Sequence, residues 1–141
     1  MMTIGDVIRD REPYFVRDTA TVLDAAEYMC GRNIGAVCVL DSDGRLKGIF
    51  SERDLLRRVV LKRQHPEEVR VTEVMSGLGV VIECSDTPHE ALERMERHGT
   101  RHLPVVKGSR WVGMLSMRDI MRVELSEQGD ALRLLHEYIQ H

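Results

Sequence analysis

The sequence predicts an α+β fold made of two similar β-α-β-β-α halves, packed around a pseudo-two-fold axis. The first observation is an internal repeat, because the pattern Gly-x-x-Ser-x-Arg-Asp occurs at residues 48–54 and again at 113–119. Self-similarity at a fixed spacing indicates a duplicated structural unit. The second observation is that each copy follows a short apolar run and precedes a helical pattern. One half of roughly 60 residues would be marginally stable alone, so both halves are expected to form one globular unit.

The opening of each half follows one pattern. Residues 4–8 and 71–75 read apolar, small, acidic, apolar, apolar. Short β-prone runs come next, at residues 14–16 and 80–82, and polar clusters end them. The sequence therefore predicts a short lead-in segment and a first strand in each half.

A helix is predicted after each first strand. Apolar side chains between residues 22 and 30 recur at i, i+3, i+4, i+7 and i+8, which places them on one helix face. Residues 91–95 show a similar pattern. Pro88 after Thr87 suits the first turn of the second helix, with the threonine as N-cap.

Two further strands complete each predicted sheet. Residues 36–40 and 103–106 are continuous apolar runs, as expected for strands covered on both faces. A short turn joins each of them to a second run, at residues 46–50 and 111–115. Tight turns between neighbouring apolar runs predict antiparallel hairpins.

Each half is predicted to end in a helix that carries an apolar stripe, over residues 55–60 and 120–125. A last amphipathic helix, with no copy in the first half, is a candidate dimer contact. The predicted organisation is residues 1–62 for the first repeat with its lead-in, 63–70 for a polar linker, 71–127 for the second repeat and 128–141 for the C-terminal helix.

The composition favours a soluble protein, with 43% apolar residues, 30% charged residues and a net charge of −3. The mildly acidic balance argues against a nucleic-acid partner. The apolar runs fall well short of the roughly 20 residues that cross a membrane, so no membrane association is expected. The N-terminus does not resemble a signal peptide. The expected location is the cytoplasm.

Metal and disulfide sites are not predicted. Cys30, Cys38 and Cys84 are scattered and form no C-x-x-C pair, so we expect small buried side chains in a reducing compartment. His98 and His102 are four apart, but a glycine separates them and His102 begins a predicted strand. They would not share a helix face, and a third ligand is missing.

The repeated motif has two interpretations. Ser-x-x-Asp at a strand-to-helix junction is typical of a capping box, in which serine and aspartate satisfy free backbone groups without any ligand. Alternatively, a helix start attracts anions and an aspartate beside it can accept hydrogen bonds from ribose hydroxyls. The recurrence of glycine, serine, arginine and aspartate in both halves favours a ribose-phosphate ligand.

Two β-α-β-β-α halves with this motif resemble a tandem CBS-domain pair (cystathionine β-synthase domain), or Bateman module. The resemblance covers about residues 4–125. Residues 51–54 and 101–106 are similar to those of small stand-alone bacterial CBS-domain proteins. The resemblance implies an adenosine-containing ligand, such as AMP, ADP, ATP, NAD or S-adenosylmethionine, bound in clefts between the halves.

The resemblance also implies roles for the motif residues. Asp54 and Asp119 would hold the ribose diols. Ser51 and Ser116 would contact phosphate or ribose. The motif arginines, expected near phosphate, are Arg53 and Arg118.

Further implied contacts come from the threonines that precede the first helices and from a tripeptide beside each motif. The threonines would lie near the base or phosphate of the opposite site, and the tripeptides would line the clefts. Arg101 and His102 are the stronger phosphate candidates, so the two clefts are expected to differ. These residues are Thr21, Thr87, Ile34, Gly35, Ala36, Arg101, His102 and Leu103.

The resulting hypothesis is a non-enzymatic regulatory module that senses adenine nucleotides, forms a homodimer and acts on an unidentified partner protein. No nucleophile paired with a base is evident in the sequence, so no catalytic residue is assigned. Two alternatives stay open at this point. One is a structural dimerisation module with vestigial clefts, and the other is a nucleotide-processing enzyme.

Overall fold

The computed structural model describes residues 1–126 and 136. The helix predicted over residues 128–141 lies outside these residues, except for position 136, which is helical. The first half comprises α1 (Ile4–Val7), β1 (Phe15–Arg17), α2 (Val22–Arg32), β2 (Ala36–Leu40), β3 (Leu46–Ser51) and α3 (Glu52–Asp54), which continues as a π-helical segment (Leu55–Val60). The second half comprises α4 (Val71–Val74), β4 (Ile82–Glu83), α5 (Pro88–His98), β5 (His102–Lys107), β6 (Arg110–Ser116) and α6 (117–126).

The two predicted β-α-β-β-α repeats are confirmed. Each half contains a three-stranded sheet, in the order β1-β2-β3 and β4-β5-β6. The first two strands of each sheet are parallel, and the second and third form an antiparallel hairpin. A register shift interrupts both hairpins at equivalent places, between Val39 and Leu40 and between Val105 and Val106. The halves therefore share even a local irregularity.

The long helix of each half begins and ends in the same way. Thr21 caps the start of α2 and Thr87 caps the start of α5, as predicted for Thr87. Each helix ends in a residue with left-handed backbone, Asn33 with φ 53° and Gly99 with φ 64°. Such a residue stops a helix and turns the chain towards the next strand. Both helices thus return the chain to the central strand of their sheet.

Strand β2 is buried along its whole length, as its apolar run predicts. Val37 and Val39 belong to the hydrophobic core of the first half. Cys38 faces the other way and contacts the second half, where the indole Nε1 of Trp111 donates to its Sγ at 3.2 Å. The thiol also lies 3.7 Å from the Met114 sulfur. The sheets of the two halves therefore meet through β2 and β6.

Each lead-in helix, α1 or α4, packs against the core of the other half. Ile4 of α1 is fully buried in the core of the second half, and its backbone N–H donates to Asp86 O at 2.8 Å. Val71 and Val74 of α4 are buried in the core of the first half, and Val71 N donates to Ala20 O at 2.9 Å. Each core is thus completed by a segment from the opposite side of the linker.

The cysteine prediction was partly wrong. Cys38 is buried as expected, and Cys84 is half-buried. Cys30 is exposed, because α2 turns only Val22, Ala25 and Met29 towards the core. The apolar periodicity extends one position beyond the buried face of the helix.

Half of the predicted apolar stripe after the first motif also faces outward. Val59 is buried, whereas Leu56 and Val60 are 56% and 55% exposed. The equivalent α6 residues Met121 and Leu125 are 54% and 64% exposed. Among the described helices, none has the length and apolar character needed to cross a bilayer.

Candidate functional site

The first corner (residues 51–54) lies where β3 meets α3. Ser51 is the N-cap of α3, and its Oγ accepts from the Asp54 backbone N–H at 3.3 Å. The Asp54 carboxylate folds back and accepts from Ser51 N at 3.0 Å and from Ser51 Oγ at 3.2 Å, both at Oδ2. The first corner therefore has the capping-box geometry that the sequence offered as one interpretation of the motif.

The second corner (residues 116–119) has the same construction. Ser116 Oγ accepts from Asp119 N at 3.1 Å, and Asp119 Oδ2 accepts from Ser116 N at 2.8 Å. Asp54 and Asp119 are 6% and 8% exposed, and they are the buried charged residues of the described chain. A carboxylate is costly to bury unless hydrogen bonds or opposite charges stabilise it.

The predicted tripeptide of the first half borders the first corner. Ala36 pairs with Ser51 across the β2–β3 hairpin, and Glu52 N donates to Gly35 O at 3.0 Å. Ile34 is half-buried and packs against the first core. The β-hairpin register thus places residues 34–36 beside the motif.

The second tripeptide borders the second corner in the equivalent way. His102 pairs with Ser116 across the β5–β6 hairpin, and Met117 N donates to Arg101 O at 2.8 Å. Leu103 is fully buried in the second core, so its side chain is committed to packing. Arg101 is exposed and His102 is half-buried.

The predicted threonines serve the helix starts. Thr21 Oγ1 accepts from Asp24 N at 3.1 Å, and Thr87 Oγ1 accepts from Glu90 N at 3.2 Å. Within residues 1–126, no hydrogen bond or strand pairing joins either threonine to a corner. Their ligand contacts stay a prediction.

Three exposed arginines lie in or beside the two corners. Arg53, Arg101 and Arg118 are exposed. Within residues 1–126 their guanidinium groups form no ion pair or hydrogen bond. They are therefore available to an anion, although their role in binding stays a prediction.

The electrostatics of His102 connect the two corners. Burial lowers the pKa of His102 below its usual value. Asp119 and Glu52 oppose this shift, whereas the positive charges of Arg101 and Arg118 reinforce it. Because Glu52 belongs to the first corner and Asp119 to the second, a charge from each corner acts on the His102 imidazole.

Arg11 is a site residue that the sequence analysis missed. Its guanidinium binds both oxygens of Asp119, with Nη1 at 2.8 Å from Oδ2 and Nη2 at 3.0 Å from Oδ1. Burial alone would raise the pKa of Asp119, but the hydrogen bonds from Arg11 and Ser116 and the charge of Arg11 outweigh it and lower that pKa. The sequence similarity between residues 4–8 and 71–75 identified two equivalent lead-in segments. It does not indicate the half against which each segment packs, so the contact of Arg11 with Asp119 could not be predicted from it.

Ser76 is the second missed residue. Its hydroxyl donates to Asp54 Oδ1 at 3.0 Å, and Arg58 Nε lies 3.8 Å from the same oxygen. Arg58 also donates to Met75 O at 2.8 Å, which holds the segment beside the first corner. Each corner is thus contacted by the chain that continues from one lead-in helix.

The family model for the CBS domain matches this chain twice, over residues 4–61 and 71–126. Those two stretches are the two repeats described above. The chain belongs to the CBS-domain family. It contains one CBS-domain pair, with a serine corner at the equivalent place in each repeat.

Comparisons with individual proteins agree with this assignment. The chain is 31% identical over 124 residues to the CBS domain-containing protein CBSX3 of Arabidopsis thaliana, covering 85% of this chain but only 60% of that protein. A CBS-domain protein structure from Burkholderia ambifaria MC40-6 has a TM-score of 0.84 and 31% identity, covering 90% of this chain and 96% of that one. The CBS domain protein PAE2072 from Pyrobaculum aerophilum, complexed with AMP, has a TM-score of 0.77 and 28% identity, covering 84% and 89%.

Proposed function

We propose that this CBS-domain pair is a non-enzymatic regulatory module that binds an adenosine-containing nucleotide between its repeats. The ligand class comprises AMP, ADP, ATP, NAD and S-adenosylmethionine. Ribose would be bound by Asp54 or Asp119, and phosphate by the exposed arginines beside them. Binding would shift the position of one repeat relative to the other and so change the surface offered to a regulated protein.

The observation that carries this proposal is the shared electrostatic region between the corners. Each of the two buried carboxylates lies at a helix start and directly follows an exposed arginine in the sequence, Arg53 or Arg118. The charges of Glu52 and Asp119 both act on His102, so one charged group from each repeat lies near this imidazole. A ribose-phosphate needs hydrogen-bond acceptors for its hydroxyls and cations for its phosphate, and this region offers both.

The structure of the Pyrobaculum aerophilum relative supports the nucleotide class, since that protein was solved with AMP. The similarity covers 84% of the present chain and includes both repeats. AMP is therefore the first ligand to test, followed by ATP, which carries more phosphate charge.

The direct test is titration calorimetry of AMP and ATP against the wild type, Asp54→Asn and Asp119→Asn. Losing a charged acceptor removes about 1.5–3 kcal/mol per hydrogen bond, so affinity at the altered corner should fall roughly tenfold or more. Asp6→Asn is the matched control, because Asp6 forms the capping box of α1 and its side chain bonds to Thr3 and Arg9 rather than to a corner residue. Unchanged affinity in both corner variants would refute the ribose assignment.

The capping boxes favour one alternative, a structural dimerisation module whose clefts bind nothing. In both corners the carboxylate already has hydrogen-bond partners within the chain. Thermal unfolding with added nucleotide separates the two functions. A ligand at 100 times its dissociation constant should stabilise the protein by about 2.7 kcal/mol, whereas an empty scaffold should not respond.

We also propose that the pair forms a homodimer through the outer faces of the π-helical segment and α6. Leu56 and Val60 are equivalent to Met121 and Leu125, 65 positions later, and all four side chains are more than half exposed. Exposed apolar side chains that cluster on helices are typical of protein interfaces. We call these four side chains together the apolar face, and in a homodimer each copy would bury them against the other across a two-fold axis.

A further inference from the structure

The two corner carboxylates have different partners, although both belong to the same Gly-x-x-Ser-x-Arg-Asp pattern. Asp54 receives the neutral hydroxyl of Ser76 at 3.0 Å, and the nearest guanidinium nitrogen, from Arg58, is 3.8 Å away. Asp119 instead receives two short hydrogen bonds from Arg11, at 2.8 and 3.0 Å. A paired guanidinium and carboxylate with two parallel hydrogen bonds are held much more firmly than a carboxylate and a hydroxyl.

Arg11 occupies the acceptor positions that a ribose would need. Asp119 Oδ1 accepts from Arg11 Nη2, and Oδ2 accepts from both Arg11 Nη1 and Ser116 N. Ribose hydroxyls can bind both oxygens only if the guanidinium moves away. The corresponding exchange at Asp54 displaces the hydroxyls of Ser51 and Ser76, which are neutral and can rotate to find other partners at little cost.

The side chain of Arg11 is placed so that it can move. It is 35% exposed, whereas the Asp119 side chain is 9% exposed. Arg11 follows Asp10, which has a left-handed φ of 62°, in the segment between α1 and β1. A guanidinium that leaves Asp119 without meeting another anion loses its two hydrogen bonds and leaves its charge uncompensated.

We propose that Arg11 makes the Asp119 corner selective for ligands that carry a phosphate. This inference rests on the proposed function. The phosphate of the ligand would bind Arg11, and the ribose hydroxyls would donate to the Asp119 carboxylate. One ligand would thus replace both partners of the Arg11–Asp119 pair. An uncharged nucleoside supplies the ribose but no anion, and it must break the pair without compensation. The Asp54 corner lacks such a guanidinium pair and should discriminate less.

The test is calorimetry of AMP and adenosine with Asp54→Asn protein, in which the Asp119 corner is the one left intact. With Arg11 present, AMP should bind at least tenfold more tightly than adenosine. Adding Arg11→Ala should raise adenosine affinity about tenfold and reduce the AMP preference to a few-fold. Arg11→Gln, which keeps a polar side chain without the charge, should act in the same direction and guards against a folding defect. Arg9→Ala is the matched control, because Arg9 pairs with exposed Asp6 in the same segment.

Each outcome has a distinct meaning. An unchanged ratio of AMP to adenosine affinity in both Arg11 variants, with AMP binding still dependent on Asp119, overturns this inference and leaves the proposed function intact. An equal loss of both ligands in the Arg11 variants also overturns it. If AMP and adenosine fail to bind even the wild type, this inference is overturned, and if ADP, ATP, NAD and S-adenosylmethionine also fail to bind, the proposed function fails with it.

Discussion

Gly48 and Ser76 lie so close that a Cβ atom on Gly48 would be 2.5 Å from the carbonyl oxygen of Ser76. The same atom would lie 2.8 Å from the Met75 sulfur. Ser76 pairs with Ile49, the next residue of β3, through hydrogen bonds of 2.8 and 3.0 Å in both directions. The first glycine of the repeated motif is therefore required by the chain that crosses β3, and this contact involves no ligand.

Gly48→Ala should destabilise the protein, because backbone atoms of residue 76 would have to shift to admit the methyl group. Overpacking of this kind costs about 1–3 kcal/mol. Gly113→Ala is the matched control, since a Cβ there would meet only the flexible end of Ile8 at 3.2 Å. Urea unfolding of both variants measures the difference. Equal stability of the two variants would contradict the close-approach explanation.

The Arg11–Asp119 pair should make stability depend on acid pH. The pKa of Asp119 is lowered in the folded protein, so its contribution is present above the ordinary aspartate pKa of about 3.8 and is lost as pH falls through the lower folded value. The free energy of unfolding should therefore fall between about pH 4.5 and pH 2 more steeply in the wild type than in Arg11→Ala.

Urea titrations at several pH values in this range would measure that slope. Arg53→Ala is a suitable control, because within residues 1–126 that arginine has no ion-pair partner to lose. A wild-type slope no steeper than that of Arg11→Ala would show that the pair contributes nothing to acid sensitivity.

His102 should take up a proton when a phosphate binds beside it. Burial lowers its pKa, so the imidazole is neutral near pH 7, and an anion nearby would raise that pKa again. AMP affinity should therefore increase from pH 7.5 to pH 6 more strongly in the wild type than in His102→Gln. Protonation of the AMP phosphate itself is common to both proteins and cancels in this comparison. Parallel pH profiles in calorimetry would exclude His102 from the phosphate site.

The proposed dimer predicts a selective effect of charge on α6. Leu125→Glu should convert the protein from a dimer to a monomer at micromolar concentration, because a buried unpaired carboxylate at an interface is costly. Leu78→Glu is the matched control, since Leu78 is 55% exposed and lies outside the apolar face. Sedimentation velocity measures both variants. A wild-type monomer, or dissociation by both substitutions, would contradict the interface.

Local sequence rules predicted most of the fold, and the residues explain why. The continuous apolar run of β2 predicted a strand covered on both faces, and Val37 and Cys38 do face opposite halves. Apolar periodicity was less informative after the first motif, because it cannot distinguish buried Val59 from exposed Val60. Both satisfy the same helical spacing, and only the packing partner decides which one is covered.

The surroundings of the corners were predictable at the motifs and at the tripeptides that border them, but not at Arg11 or Ser76. Ser51 and Asp54 are three residues apart, and a capping geometry follows from that spacing. Arg11 and Asp119 are 108 positions apart, so their contact depends on which half receives each lead-in segment. The two lead-in segments are similar in sequence. That similarity does not show whether each one packs against the core of its own half or against that of the other half.

The exchanged lead-ins suggest how such a chain can arise. In a dimer of a single ancestral unit, the lead-in segment of each copy could complete the core of the other copy, as in a domain-swapped dimer. Joining the two copies end to end would preserve every one of those contacts within one polypeptide. Cleavage of the linker should then give two fragments that fold only when they are mixed. Ile4 belongs to the first fragment, whereas the core that buries it belongs to the second.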